Sequence, residues 1–436
     1  MITVSCVSCG SAAAGNADVA EHRCLNCGDV LEASQAHQGA VPKTDLRYAH
    51  SLWRYRARLP IDPDAVPVTL GEGMTPLRRC PQLDELFDVP VRIWVKDETN
   101  NPTGSFKDRL VSVGITRARS QGATVVTCAS SGNAAASTAA YAASAGMRSV
   151  VFVPAGTPLA KVNQARAYGA RVVTVPGDYS NSYLVCDAVA KRLNWPNLTT
   201  TYLNPYGTAG LATVGYELVD QFAAAGESPD LVSVPIGSGP LLYGIDRGWR
   251  EASPATDDSG QMSLLGVQAE GCAPIVSAFA AGHKTVTPWG DPTTIASGIS
   301  DPLRGYPEDG TFTLRIIRRM KGSAVAVTDD SIRWAAKQLA QKAGILAEPT
   351  GAASLAGVAA HLKSASLRSA ANVTVCVTGH GFKDPDQMPP AEHSTISLSQ
   401  PDAAAIMSDV FEHQHDVDQR QLQRLQDDLG LEEEPA

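Results

Sequence analysis

No run of about 18 consecutive apolar residues occurs in the chain, so no segment reads as a membrane-spanning helix. The opening residues, MITVSCVSCG, carry neither the basic start nor the apolar stretch of a secretory signal, and a cytoplasmic protein is the expectation. A basic surplus is missing too. The net charge is −9, and residues 401–436 hold ten acidic residues against two arginines. The preceding 400 residues are therefore almost neutral, which argues against nucleic acid as a partner and assigns the acidity to a C-terminal tail.

What is present describes a soluble globular protein. The 436 residues exceed one ordinary core, so two or more domains are expected, and 44% of them are hydrophobic. Nine cysteines fall into two groups. Cys80, Cys128, Cys186, Cys272 and Cys376 are scattered, several within apolar runs such as VVTCAS and VTVCVTG, and read as buried reduced thiols. Cys6 and Cys9, then Cys24 and Cys27, form two Cys-x-x-Cys knuckles, each followed by glycine (Gly10 and Gly28), with 14 residues between Cys9 and Cys24. Four thiolates so arranged close round Zn²⁺ as a tetrahedron and leave no open position, so a structural zinc ribbon is predicted.

Residues 47–60, RYAHSLWRYRARLP, form an aromatic-basic arm after a polar linker. Beyond residue 66, short Val- and Ile-rich runs (RIWVKDE, TVVTCAS, RSVVFVP, ARVVTVP, LVSVPIG, LLGVQAE, NVTVCVTG) alternate with helical stretches such as AAASTAAYAASAG, PLAKVNQARAYG and DDSIRWAAKQLAQKAG. That alternation predicts parallel sheets with crossover helices, an α/β architecture. The run QRQLQRLQDDLGLEEE near the C-terminus places Leu422, Leu425 and Leu429 at helical spacing, as a frayed or partner-docked helix would.

Between residues 71 and 385 a series of strings occurs in order: GEGMTPL, DETNNPTGSFKDR, SSGNAAAS, PYGTAGLATVGYE, PIGSGPL, GVQAEGCAP, EPTGAASLAG and VTGHGFKDP. Each string alone is weak. The ordered set resembles threonine synthase and its relatives among the fold type II pyridoxal-phosphate enzymes (the tryptophan synthase β-like fold), some of which carry an N-terminal zinc ribbon. The resemblance implies two open-sheet α/β domains facing each other across the cofactor. On that pattern residues 1–30 form the ribbon and 31–65 a linker and arm. Residues 66–111 with 216–395 form the large cofactor-binding domain, 112–215 a small mobile substrate-binding domain, and 396–436 the acidic tail. The same resemblance implies a homodimer.

Lys107 follows a Gly-Ser-Phe turn and opens a helix, a place where a surface cation opposes the helix dipole. A desolvated lysine there is fit to bond an aldehyde cofactor, and the resemblance makes Lys107 the Schiff-base lysine, later moving protons at Cα and Cβ. SSGNAAAS follows an apolar run and opens an Ala-rich helix, collecting backbone N–H groups suited to an anion. The resemblance assigns Ser130, Ser131, Gly132, Asn133 and Ala134 to the substrate carboxylate, with Asn133 also on the phenolic oxygen of the cofactor. Gly237, Ser238, Gly239 and Leu241 of PIGSGPL stand at a second strand-to-helix turn, where backbone amides approach a phosphate. Pro240 supplies no N–H there. Thr378 of VTGHG is implied to face the pyridine nitrogen. His380 reads equally as a general acid or as a turn histidine.

The series departs from its pattern where a substrate phosphate would sit. Threonine synthases place an arginine after Asn-Pro-Tyr. Here Gly207 takes that place, Ala209, Leu211 and Ala212 replace polar neighbours, and Ala134 lacks a hydroxyl. An arginine–phosphate fork is among the stronger polar contacts. Arg109, Lys161 and Arg304 are the candidate substitutes. The expected activity is a lyase acting by elimination or replacement on an amino acid with a β or γ leaving group, with an altered phosphate site. The alternatives are threonine synthase itself, a β-replacement enzyme such as cysteate synthase, or a binding protein on an inactive scaffold.

Overall fold

A computed structural model describes residues 2–12, 23–35, 45–130, 132–155, 157, 159–253, 262–363 and 371–388, with backbone alone at residues 46 and 159–161. Ser131, the acidic tail and its amphipathic run lie outside the described residues. The strands are β1 (Ile2–Cys6), β2 (Leu31–Gln35), β3 (Leu77–Arg79), β4 (Val91–Asp97), β5 (Val125–Ala129), β6 (Arg148–Pro154), β7 (Arg171–Val175), β8 (Leu231–Pro235), β9 (Ser263–Ala269), β10 (Ser323–Val327) and β11 (Ala371–Val377). The first helices are α1 (Pro81–Asp84), α2 (Lys107–Ser120), α3 (Asn133–Ser144), α4 (Leu159–Ala167), α5 (Tyr179–Leu193) and α6 (Pro205–Gly210). They are followed by α7 (Ala212–Ala225), α8 (Pro240–Ala252), α9 (Pro274–Ala280), α10 (Pro307–Arg319), α11 (Asp329–Ala343) and α12 (Pro349–Leu362).

Two open sheets result. The larger has the order β10-β9-β8-β11-β4-β3, parallel except for β3 at its edge, and the smaller is the parallel trio β5-β6-β7. Central strands β8 and β11 are buried at every position, as sheets covered by helices on both faces require. That burial is why they read as unbroken Val-rich runs. The expected boundaries at 111/112 and 215/216 fall inside the continuous helices α2 and α7.

Helix α2 is buried along nearly its whole length, and polar groups on it are satisfied internally. Arg109 Nε donates to Glu98 Oε2 at 2.7 Å, Arg109 Nη1 pairs with Glu217 at 2.5 Å, and Lys96 Nζ pairs with Glu217 at 2.7 Å, all four side chains fully buried. Charges out of water need such mutual pairing. Nearby, Trp53 of the aromatic arm donates from Nε1 to Glu72 and Ser112, both at 2.9 Å, which plugs the arm into the same core.

The ribbon is the antiparallel pair β1-β2 with its two knuckles. Gly10 and Gly28 take φ of 69° and 76°, the left-handed turns expected of them. The ribbon docks through arginines. Arg315 reaches Asp29 at 2.9 Å, Arg247 donates to the carbonyl of Ala33 at 2.8 Å, and Arg23 pairs with the fully buried Asp309 of α10 at 2.5 Å. Helix α6 lies against both α2 and β2, with Tyr206 in the ribbon's apolar cluster.

Candidate active site

The C-terminal ends of β5, β8 and β11 and the start of α2 open on one cavity of about 510 Å³. Open α/β sheets bind ligands at this edge. The structure brings together every described residue expected at the site: Lys107, Ser130, Gly132, Asn133, Ala134, Gly237, Ser238, Gly239, Leu241 and Thr378 all line the cavity.

Lys107 is the first residue of α2, and its Nζ donates to Thr200 Oγ1 at 2.7 Å while lying 4.5 Å from the centroid of the Phe106 ring. Burial lowers its pKa from 10.5 to about 8, against opposing fields from Cys128, Asp301 and Glu348. A useful fraction of free amine therefore exists near neutral pH. The α3 start is held open by Ser130, whose Oγ accepts from Gly132 N at 3.1 Å, and by Asn133, whose Nδ2 donates to Glu348 Oε1 at 2.7 Å. The first amides of α3 have no helical partner and face an incoming anion.

Gly239 has φ of 109°, and a Cβ built there would lie 2.1 Å from Thr313 Oγ1, so only glycine fits the turn. Thr313 in turn donates to the carbonyl of Ser238 and pins the loop. Helix α8 begins at Pro240 with the unpaired amides of its first turn aimed at the same space. Thr378 is 1% exposed, and its Oγ1 has no hydrogen-bond partner among the described residues. A buried hydroxyl left without a partner at a cavity wall calls for an acceptor supplied by a ligand. Free amine, glycine turn with helix amides, and orphaned hydroxyl are what an aldehyde, a phosphate and a pyridine nitrogen need. The donor set fits pyridoxal phosphate.

A family model described as pyridoxal-phosphate-dependent enzyme matches residues 68–379. The chain belongs to that family. Curated relatives include the threonine synthase of Methanocaldococcus jannaschii, 36% identical over 90% of this chain and 96% of that protein, and that of Methanosarcina acetivorans, 35% identical over 88% and 93%. Among solved structures, a threonine deaminase whose source is abbreviated T.th. superposes with a TM-score of 0.59 at 27% identity, covering 74% of this chain and 94% of that one. Maize serine racemase superposes with a TM-score of 0.61 at 23% identity, over 70% and 88%, which shows the shared fold. The protein is thus a pyridoxal-phosphate-dependent lyase of the threonine synthase kind, with the α/β fold of type II enzymes.

Two of the three cations considered for a leaving-group phosphate are committed elsewhere in this pyridoxal-phosphate enzyme. Arg109 is enclosed by Glu98 and Glu217, and Arg304 pairs with Asp178 and Asp291 away from the cavity. The side chain of Lys161 is outside the described residues. Position 207 does not face the cavity at all: a Cβ there would meet the carbonyl oxygen of Leu110 at 2.9 Å, because α6 rests directly on α2.

Sequence reasoning missed three cavity residues. Lys383 donates to the Thr103 carbonyl and to Gln164 Oε1, both at 2.7 Å. Glu348 anchors Asn133, and Asp301 forms part of the wall. Lys383 and Glu348 stand inside quoted strings, so their neighbours were the available signal. His380 also lines the cavity, with Nδ1 accepting from Phe382 N at 3.2 Å and its ring stacked on Phe382 at 4.7 Å, the arrangement of a turn histidine.

In the ribbon, the Sγ atoms of Cys6, Cys9, Cys24 and Cys27 lie within 4.8 Å of one another. Cys6 and Cys27 are 3.4 Å apart. A tetrahedral Zn–S distance of about 2.3 Å implies edges of about 3.8 Å. The four thiols thus have the spacing of a closed tetrathiolate site.

Proposed function

We propose that the cavity takes an amino acid carrying a leaving group on its β or γ carbon and removes or replaces that group at a site unlike the phosphate site of threonine synthases. The observation that carries this reading is the meeting of Lys107, the α3 amides and Thr378 in one cavity that no arginine lines among the described residues. Pyridoxal phosphate, when bound, supplies the electron sink that makes the Cα proton removable. Lys107 bonds the cofactor and then carries protons between Cα and Cβ. The amides of Gly132 to Ala134 orient the substrate carboxylate, and Asn133, fixed by Glu348, holds the phenolic oxygen. Gly237, Ser238, Gly239 and the Leu241 amide hold the cofactor phosphate. Thr378 donates to the pyridine nitrogen without fully protonating it, which moderates the sink.

The likeness to threonine synthases supports a second reading, in which O-phosphohomoserine is hydrolysed to threonine and phosphate with Lys383 as the cation of the cavity wall. One experiment separates the two. The purified holoenzyme is given serine, threonine, homoserine and their phosphoesters, and cofactor absorbance and phosphate release are followed. Spectral change with the unphosphorylated amino acids supports the altered site, and rapid phosphate release from O-phosphohomoserine overturns it.

We further infer that Cys6, Cys9, Cys24 and Cys27 hold one structural Zn²⁺, supported by their thiol spacing. The three-stranded sheet supports a small mobile unit that closes on substrate, with limits near 121 and 204 rather than inside α2 and α7. A cytoplasmic homodimer remains the expected state, and light scattering on the purified protein tests the dimer.

A further inference from the structure

Asp301 lies in the irregular segment between β9 and α10, and its placement is closely defined. Its Oδ1 accepts from Tyr306 OH at 2.7 Å and from Leu303 N at 3.2 Å. Leu303 itself takes φ of 58°, a conformation side chains other than glycine rarely adopt, and is fully buried. The segment is seated on α12 through Gly298, whose amide donates to Thr350 Oγ1 at 3.0 Å. The other oxygen, Oδ2, makes no hydrogen bond among the described residues and lies beside the glycine loop, 3.6 Å from where a Cβ on Gly237 would be. Asp301 is 7% exposed, and it lines the cavity.

A buried carboxylate with one oxygen pinned and one left open is costly unless a ligand completes it. Among the described residues no cation pairs with it, and Lys107, whose field reaches it, is engaged by the cofactor. Burial raises Asp301 from 3.8 to about 6, with the hydrogen bonds from Tyr306 and Leu303 opposing. The substrate's other polar groups are already accounted for. Its amine goes to the cofactor and its carboxylate to the α3 amides, so the side-chain terminus alone is left for Asp301 to read.

Resting on the lyase reading above, we infer that Asp301 determines specificity. It selects amino acids whose side chain ends in a hydrogen-bond donor, a hydroxyl or an amine, and it disfavours a phosphate ester. Three features act together in this selection. Asp301 presents an acceptor, position 207 contributes no cation, and Lys383 spends two of its three N–H groups on Thr103 and Gln164. A dianionic side chain would meet the open oxygen of Asp301 with no arginine fork to offset it. Tyr306 is the positioning residue: its hydroxyl fixes which oxygen of Asp301 faces the cavity.

The test titrates the holoenzyme with L-serine, L-homoserine, L-2,3-diaminopropionate, O-phospho-L-serine and O-phospho-L-homoserine, reading Kd from the cofactor's visible absorbance rather than from turnover. The wild type is expected to bind the hydroxyl or amine compounds at least about tenfold more tightly than the phosphate esters. Asp301→Asn should erase about tenfold of that ratio, and Tyr306→Phe should move it the same way by about threefold. Tyr306→Phe also keeps the test open should Asp301→Asn not fold. Comparison of homoserine with diaminopropionate identifies which donor is preferred. A wild type that prefers phosphate esters, or a ratio unchanged in both variants, overturns the role of Asp301. If no amino acid of any kind perturbs the cofactor, the lyase reading fails and this inference falls with it.

Discussion

Tyr183 of α5 and Tyr306 lie face to face, ring centroids 3.9 Å apart and planes inclined by 24°. On one side of this pair Arg23 of the ribbon donates to Tyr183 OH at 3.4 Å, and on the other Tyr306 donates to Asp301 in the cavity wall. The ribbon is therefore two side chains from the active site. Its arginine also neutralises Asp309, which is fully buried.

The first expectation follows from that pairing. Removing one member of a buried ion pair leaves an uncompensated charge, so Arg23→Ala should lower the unfolding free energy by about 3–5 kcal/mol. Stripping the ribbon's metal with a chelator should likewise lower Tm, since the knuckles then no longer hold Arg23. Thermal unfolding of the wild type, the chelated protein and the variant checks this. Equal stability in all three would contradict it.

Position 207 gives a second test. Restoring the threonine synthase arginine by Gly207→Arg should not create a phosphate site, because the new side chain meets the Leu110 carbonyl instead of the cavity. The expected result is a loss of about 1–3 kcal/mol of stability and no gain in phosphate-ester binding. Urea unfolding and absorbance titration read the two quantities separately.

Lys107 carries a pH signature. Below its folded pKa of about 8 the reactive amine falls tenfold per unit, so cofactor uptake by apo-protein should rise with pH and level off above 8, not near 10.5. The sign for stability is the same. A base with a depressed folded pKa contributes fully above 10.5, and the contribution is lost as pH falls through about 8. Apo-protein should therefore gain stability across that window. Stopped-flow absorbance after mixing with pyridoxal phosphate measures the rate profile.

Thr378→Val keeps the shape of the side chain and removes the orphaned hydroxyl. The holoenzyme should lose about 0.5–1.5 kcal/mol of cofactor affinity, roughly three- to tenfold in Kd, with apo-protein stability unchanged or raised. Cofactor titration against unfolding of the apo form separates the two effects.

Much of this architecture was legible in the sequence, for reasons visible in the burial. Strands such as RSVVFVP and NVTVCVTG are covered on both faces and so are continuously apolar. β3 (LRR) is a charged edge strand and β10 (SAVAV) is half-exposed, and neither announces itself. Lys107, Asn133, Thr378 and the glycine loop were readable because strand-to-helix turns mark them. The rest depends on folding over distance. The Asn133–Glu348 bond joins residues 215 positions apart, and Lys383 meets Gln164 across 219. Asp301 sits in an irregular segment with no periodicity to read, and its role emerges only once Tyr306 and Leu303 are seen to hold one of its oxygens.

The central claim is that the Lys107 amine bonds the cofactor. Borohydride reduction of the holoenzyme, proteolysis and mass spectrometry measure this directly. The account predicts a stable cofactor adduct on the peptide containing Lys107 and a colourless Lys107→Ala variant. An adduct on another lysine, or a yellow variant that borohydride still labels, would contradict it.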